Sequence, residues 1–334
     1  MTEQRLKELL SRFPGLRIAV VGDLFLDQWF QIDPALDEPS VETALTAWQI
    51  TGITASAGAA GTVLNNMREL GVGTLYAVSF TGEDGNGWMM KHLLETQGID
   101  TAHVLTVPER MTPSYMKPMF QREAHLEEGN RLDVKNRKPT PTWVEDKLMD
   151  SLEELATKVD AIIALDQLTE NDTGVVTARV RQKLAELGYK HPQLIIYADS
   201  RARIAQFRQV MIKCNHLEAA EAVGADVPLP ETMAKLREIT GRLVFVTLGR
   251  DGIAAGNGTV VSAARQTGPI DVCGAGDSTT AALVSGLCAG ATPEEAAFLG
   301  NLSAGITVRK LGTTGTASQQ ELWQLYHEQF EERV

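Results

Sequence analysis

Residues 271–286 read DVCGAGDSTTAALVSG. Asp271 leads into Gly274, Ala275 and Gly276, which are followed at once by Asp277 and by an apolar run that predicts a helix over 278–289, closed by Gly290. Small residues let an anion reach the backbone, and the unpaired N–H groups of a first helical turn point at it with the helix dipole behind them. Asp277 stands at the same helix start, where it is expected to be ionised at neutral pH and able to take a proton from an attacking hydroxyl. Taken alone, the motif reads equally well as a capped helix with an acid in its first turn. Its meaning depends on what the rest of the chain sets beside it.

Upstream, short apolar runs alternate with amphipathic stretches, the pattern of βα units around a mostly parallel sheet. Strands are expected over 17–21, 74–80, 161–165, 193–198, 209–213 and 243–248. A helix is expected over 142–158, opening with Thr142 and Glu145 at capping-box spacing, and another over 178–187, stopped by Gly188. Two stretches break the rhythm: 27–54, which includes the alternating TALTAW at 43–48, and 112–121, TPSYMKPMFQ. They predict a small antiparallel β-sheet standing off the main body as a lid, against the competing reading of two long surface hairpins. Neither an internal repeat nor a Pro/Gly-rich linker interrupts the chain. The expected organisation is therefore one α/β domain over 1–334 with a discontinuous lid.

The charge balance of this 334-residue chain narrows the partners. With 31 Lys and Arg against 43 Asp and Glu, the net charge is −12. A nonspecific nucleic-acid binder or an anionic-membrane binder needs clustered cations, so neither is expected. Three cysteines, Cys214, Cys273 and Cys288, have no CxxC spacing, and the charged N-terminal stretch MTEQRLKELLSRFPGLR lacks the apolar centre of a secretory signal. The most apolar late stretch, 281–291, is too short to span a bilayer. A soluble, cytoplasmic protein is expected.

Two further loops carry candidate chemistry. CNHLEA at 214–219 follows an expected strand and sets Asn215 and Glu218 three apart at a helix start. That pair could hold the water shell of a magnesium ion, or it could be an N-cap and its third-position partner. TLGRDG at 247–252 ends another strand in a turn where Thr247, Gly249 and Gly252 permit close approach of a ligand, or simply turn a hairpin. No P-loop, HExxH or GxSxG motif is present, and the six histidines show no metal-ligand spacing.

Taken together, NHLE, TLGRDG and DVCGAGDSTTAALV, in that chain order, resemble the ribokinase and phosphofructokinase-B family of carbohydrate kinases. The resemblance runs from IAVVGDLFLD to NLSAGITVRKLGTTG and implies a three-layer αβα sandwich of the ribokinase-like type with a β-sheet lid. It implies that Asp277 is the catalytic base and that Gly274, Ala275 and Gly276 form the anion hole. It further implies that Thr247, Gly249, Gly252 and Asn301 face ATP and that Asn215 and Glu218 hold Mg2+ through water. Asp271 and Cys273 fall where some members bind a monovalent cation such as K+. Asp27 matches a sugar-hydroxyl acceptor, and Gly58 heads a substrate motif that departs from pattern at Ala59, Gly61 and Thr62, the last standing where the family has an asparagine facing the sugar.

Within the family, VVGDLFLDQWF, TPSYMKPMF and EGNRLD look most like the heptose 7-phosphate kinases of lipopolysaccharide precursor synthesis. Those kinases often carry a second, nucleotidyltransferase domain, which is not expected within residues 1–334. Lys117, Arg122 and Arg131 could meet a substrate phosphate, or be solvated charges at a lid edge. The expected function is ATP-dependent phosphorylation of a sugar or sugar-phosphate hydroxyl. A silent sugar or nucleotide sensor on the same fold, and a nucleoside or vitamin kinase, are the alternatives. Trp29, Phe30 and Trp48 on the lid suggest a homodimer formed through it.

Overall fold

The computed structural model describes residues 1–123, 125–256, 258–312 and 314–330. In the strand Arg17–Gly22, Ile18 and Val20 pack into one core and Ala19 and Val21 into another. The strand Ala161–Asp166 divides in the same way, with Ala161, Ile163 and Leu165 on one face and Ile162 and Ala164 on the other. Successive strand side chains point to opposite faces, so a strand that is apolar at every position needs helices on both sides of its sheet.

The main sheet has nine strands, in the order Thr259–Val261, Ile253–Ala255, Val244–Thr247, Met211–Asn215, Ile195–Ser200, Ala161–Asp166, Arg17–Gly22, Thr74–Gly82 and Asp100–Val107. The last seven pair in parallel, and the first two close one edge antiparallel. One face carries Glu3–Arg12, Ala60–Glu69, Gly85–Thr96, Ala275–Cys288, Pro293–Thr307 and Gln319–Phe330. The other carries Thr142–Leu155, Ala178–Lys190, His216–Val223 and Leu229–Thr240. This is the expected three-layer αβα sandwich.

The second sheet differs from expectation in its pairing. Leu24–Ile32 pairs antiparallel with Ile50–Ala59 but parallel with Ser114–Gln121, so the sheet is mixed. Leu126–Glu128 and Leu132–Val134 add to the far side of Ser114–Gln121. The TALTAW alternation yields only the two-residue strand Thr46–Ala47, paired with Glu38–Pro39. Ala44, at φ 57°, turns the chain there, and the long strand begins at Ile50 instead.

Helix punctuation also departs from the sequence reading. Pro141, not Thr142, caps the helix Thr142–Leu155: the amides of Val144 and Glu145 bond to the Pro141 carbonyl. The Glu145 carboxylate is drawn away to Arg179 at 2.9 Å, so no capping box forms. The helix Ala178–Lys190 runs through Gly188, because residue 188 lies against Gln209, whose carbonyl would stand 2.3 Å from any added Cβ. The strand expected over 209–213 is displaced to Met211–Asn215, since Gln209 at φ 54° is still turning.

Candidate active site

The helix Ala275–Cys288 starts three residues earlier than its apolar run, with Gly274 as its N-cap in the left-handed region at φ 77°. Its first turn separates two cavities. Gly274 and Asp277 line a cavity of about 420 Å³ beneath the small sheet, while Ala275 and Gly276 line a neighbouring one of about 600 Å³. Consecutive residues of one helical turn thus face two different compartments.

The first cavity gathers Asp27, Thr62, Lys117, Asp271, Cys273 and Asp277 from distant parts of the chain. Lys117 reaches Asp27 at 3.2 Å and lies 4.5 Å from the Trp29 ring centroid. Phe25 and Tyr115 stack at 4.8 Å, giving the cavity an aromatic wall suited to the C–H faces of a sugar. Arg131 also lines it, held by Asp133 at 2.6 Å over the Tyr115 ring. Trp29 therefore faces the cavity rather than the outside of the lid. Gly58 does not line the cavity but stands behind Asp27, and a Cβ there would be 2.3 Å from Asp27 Oδ2. Arg122 does not line the cavity either: it is exposed and paired with Glu127.

The second cavity brings together Thr247, Gly249, Gly252 and Asn301 as expected, with Thr279 and Gly305. TLGRDG is a hairpin turn between antiparallel strands and is also part of this wall. The Asn301 amide is committed to the carbonyls of Val261 and Ser262, at 2.8 and 3.2 Å, and offers its position more than its donors.

Asn215 and Glu218 form a capping box. Asn215 Oδ1 accepts from the amides of Leu217 and Glu218, and Glu218 Oε2 accepts from the Asn215 amide at 2.8 Å. The second Glu218 oxygen remains available. Burial and the nearby Asp199 raise the Glu218 pKa. No cluster of three acidic, histidine or cysteine side chains fit to hold a metal occurs among the described residues. The hard oxygens of Glu218 and Asp199 suit a magnesium ion that keeps most of its waters and leans on substrate phosphates. Asp271 ties its own loop, accepting from the amides of Cys273 at 2.9 Å and Gly312 at 3.1 Å.

Asp277 is half-buried, and burial, reinforced by the negative charge of Asp199, pushes its pKa up to about 7. The expectation of a fully ionised carboxylate at neutral pH is thus corrected. Four contributors escaped the sequence reading. Gln167 and Arg201 line the first cavity, and Asp199 and Lys213 form a 2.7 Å ion pair under the helix start. Asp199 and Arg201 follow the apolar run IIYA, at the carboxyl end of a parallel strand, where sites of such sheets form. Ending that strand at 198 hid them.

The sequence profile of the pfkB family carbohydrate kinases matches residues 32–320. The chain belongs to this family. It is 28% identical to the bifunctional protein HldE of Trichlorobacter lovleyi over 329 residues, covering 94% of this chain and 64% of that one. The HldE of Desulfatibacillum aliphaticivorans is likewise 28% identical, with 94% and 63% covered. The chain thus spans a little under two thirds of the length of these curated relatives. Among solved structures, a ribokinase of Arabidopsis thaliana in complex with ribose and ATP superposes with a TM-score of 0.67 at 17% identity, covering 93% of this chain and 98% of that one. A ribokinase of Thermotoga maritima gives 0.62 at 17% identity, covering 93% and 99%. The fold of this pfkB member is ribokinase-like.

Proposed function

We propose that this pfkB-family protein transfers the γ-phosphoryl group of ATP to a hydroxyl of a sugar or sugar phosphate. The observation that carries the reading is the division of one helical turn between two cavities, with Asp277 on one side and the Gly276 backbone on the other. The acceptor occupies the first cavity, against Asp27, Thr62 and the aromatic wall, and ATP the second. Asp277 takes the hydroxyl proton as the new O–P bond forms and the bond from the β,γ-bridging oxygen to γ-phosphorus breaks. The amides of Gly274 and Gly276 receive the charge that develops on the transferring group, the Ala275 amide being donated to the Val272 carbonyl at 3.2 Å. A magnesium ion near Glu218 and Asp199 would supply further charge neutralisation when bound, and a monovalent ion at the Asp271 loop belongs to the same reading.

The heptose 7-phosphate branch is the favoured acceptor class, supported by Lys117, Arg131 and Arg201 in the first cavity, the first two of them paired with Asp27 and Asp133. The chain is read as a single kinase domain with the small sheet as its lid. A cytoplasmic location is part of the reading, supported by three unpaired cysteines and by the absence, among the described residues, of a helix long and apolar enough to cross a membrane. Homodimerisation through the lid is supported by the exposed Val41, Leu45, Trp48 and Ile53 on the sheet and its connecting turn; a monomeric mass by light scattering would end that part.

The test is ADP release from ATP against a library of sugars and sugar phosphates that includes heptose 7-phosphate, fructose phosphates and ribose. Turnover with one class and none without acceptor is expected. Absence of turnover with every member, alongside acceptor-dependent thermal stabilisation, would replace the enzyme by a sensor.

A further inference from the structure

Lys213 lies in the strand Met211–Asn215, flanked by the buried Ile212 and Cys214, and its side chain is 6% exposed. A lysine so buried needs a partner, and it has one in Asp199 at 2.7 Å. Thr280 Oγ1 donates to the same Asp199 oxygen at 3.3 Å, which fixes the carboxylate under the helix that carries Asp277. The ammonium lies 3.4 Å from where a Cβ on Gly276 would stand, directly behind the anion-hole turn. Burial opposes the lysine charge, but Asp199, Asp277 and Glu218 together outweigh it and hold its pKa above the ordinary value.

Lys213 and the exposed Arg201 are the cations that act on the carboxylates of Asp199, Asp277 and Glu218. With all five groups ionised the formal charge is −3 + 2 = −1. Without Lys213, the buried one of the two cations, the same group would carry −2 around a site meant to receive polyphosphate.

We propose that Lys213 is a resident cation of the phosphoryl-transfer site, a positioning residue that fixes Asp199 and limits how strongly the carboxylates attract a divalent ion. The inference rests on the kinase reading for its functional meaning, but its physical content concerns this chain's own charges. A site that held its metal too tightly would also hold the metal-bound product nucleotide, so a built-in ammonium moderates the grip.

The experiment is calorimetric titration of Mn2+ into the nucleotide-free protein at pH 8, for the wild type, Lys213→Met, Asp199→Asn and the double variant. Lys213→Met is expected to bind Mn2+ at least about tenfold more tightly, because a unit charge a few ångströms away is removed from a poorly screened site. Asp199→Asn is expected to bind more weakly, and adding Lys213→Met to it to recover at least about tenfold. If the single lysine variant does not fold, the comparison between Asp199→Asn and the double variant decides, since the latter buries neither charge. Unchanged or weaker Mn2+ binding on losing the lysine, in whichever background folds, overturns the proposal. No nucleotide or sugar enters the titration, so failure of the kinase reading would appear separately, as absent ATP turnover by the wild type.

Discussion

The carboxylate of Asp27 occupies the space that a side chain on residue 58 would fill, with Oδ2 2.3 Å from a Cβ placed on Gly58. The two residues sit on adjacent antiparallel strands, and the missing side chain of one is the room that lets the other meet Lys117 at 3.2 Å. Gly58→Ala must displace Asp27 and break that pair. Its acceptor KM is expected to rise by about tenfold or more, the loss of a charge-assisted contact or two, while the KM for ATP stays near the wild-type value. Equal changes in both constants would show that residue 58 acts on the fold rather than on Asp27.

With Asp277 as the base of the proposed reaction, its carboxylate sets the acid limit. Its carboxylate must be ionised to accept a proton, and its pKa is pushed up to about 7 by burial and by Asp199. The kcat/KM is therefore expected to fall about tenfold for each pH unit below that value and to level off above it. Asp277→Asn should abolish transfer and retain nucleotide binding, measured by turnover and by titration with ATP.

The residue after Gly58 carries strain. Ala59 caps the helix Ala60–Glu69 at φ 53° and ψ −117°, a conformation that costs a side chain on the order of 1–3 kcal/mol and glycine little. Ala59→Gly is expected to raise stability by about 1 kcal/mol once the extra freedom of the unfolded chain is subtracted, read as a higher denaturant midpoint.

Two arginines separate lid edge from cavity. Arg122 is an exposed partner of Glu127, so Arg122→Ala should leave acceptor KM within about twofold, as exposed pairs contribute little. Arg201 lines the first cavity, and Arg201→Ala should raise KM for a phosphorylated acceptor by about tenfold or more. Steady-state kinetics with one sugar phosphate compares them directly.

Asp23 links stability to pH. One carboxylate oxygen accepts from the Val175 amide at 2.8 Å and the other is buried without a partner, so burial lifts the pKa to about 7. A raised carboxyl pKa gives stability that is fully present below the ordinary value of 3.8 and lost as pH rises toward 7. Asp23→Asn removes this dependence. Relative to the wild type it should gain between pH 5 and pH 8, by about 3 kcal/mol, in urea melts at the two pH values.

The sandwich was legible because strands such as 161–165 are apolar at every position, which only a doubly covered sheet explains. The Gly274, Ala275, Gly276 and Asp277 turn was legible because small residues and an acid at a helix start have few other uses together. Lys213 was not, since a single charge within an apolar strand is read as a strand's end; its partner, Asp199, lies fourteen residues earlier, across a parallel pairing that sequence periodicity does not reveal. Arg122 misled because charge is visible in sequence while direction is not. The parallel pairing of Leu24–Ile32 with Ser114–Gln121 was hidden for the same reason, as alternation gives a strand its faces but not its neighbours.

Of the four chain crossings between the small sheet and the body, three are closely set, at residue 23, at 59–60 and at 113, and the fourth returns over 135–141. Asp23 is the one residue between the main strand Arg17–Gly22 and Leu24–Ile32, its carbonyl accepts from the Ala60 amide at 3.0 Å, and the Leu26 amide bonds to the Pro113 carbonyl at 2.8 Å. Such an arrangement is an axle, with the nine-residue strand Leu24–Ile32 as a lever about 30 Å long. A rotation of only about 10° at the axle would carry the far end through roughly 5 Å, enough to open or seal the mouth of the cavity while every strand pairing stays intact.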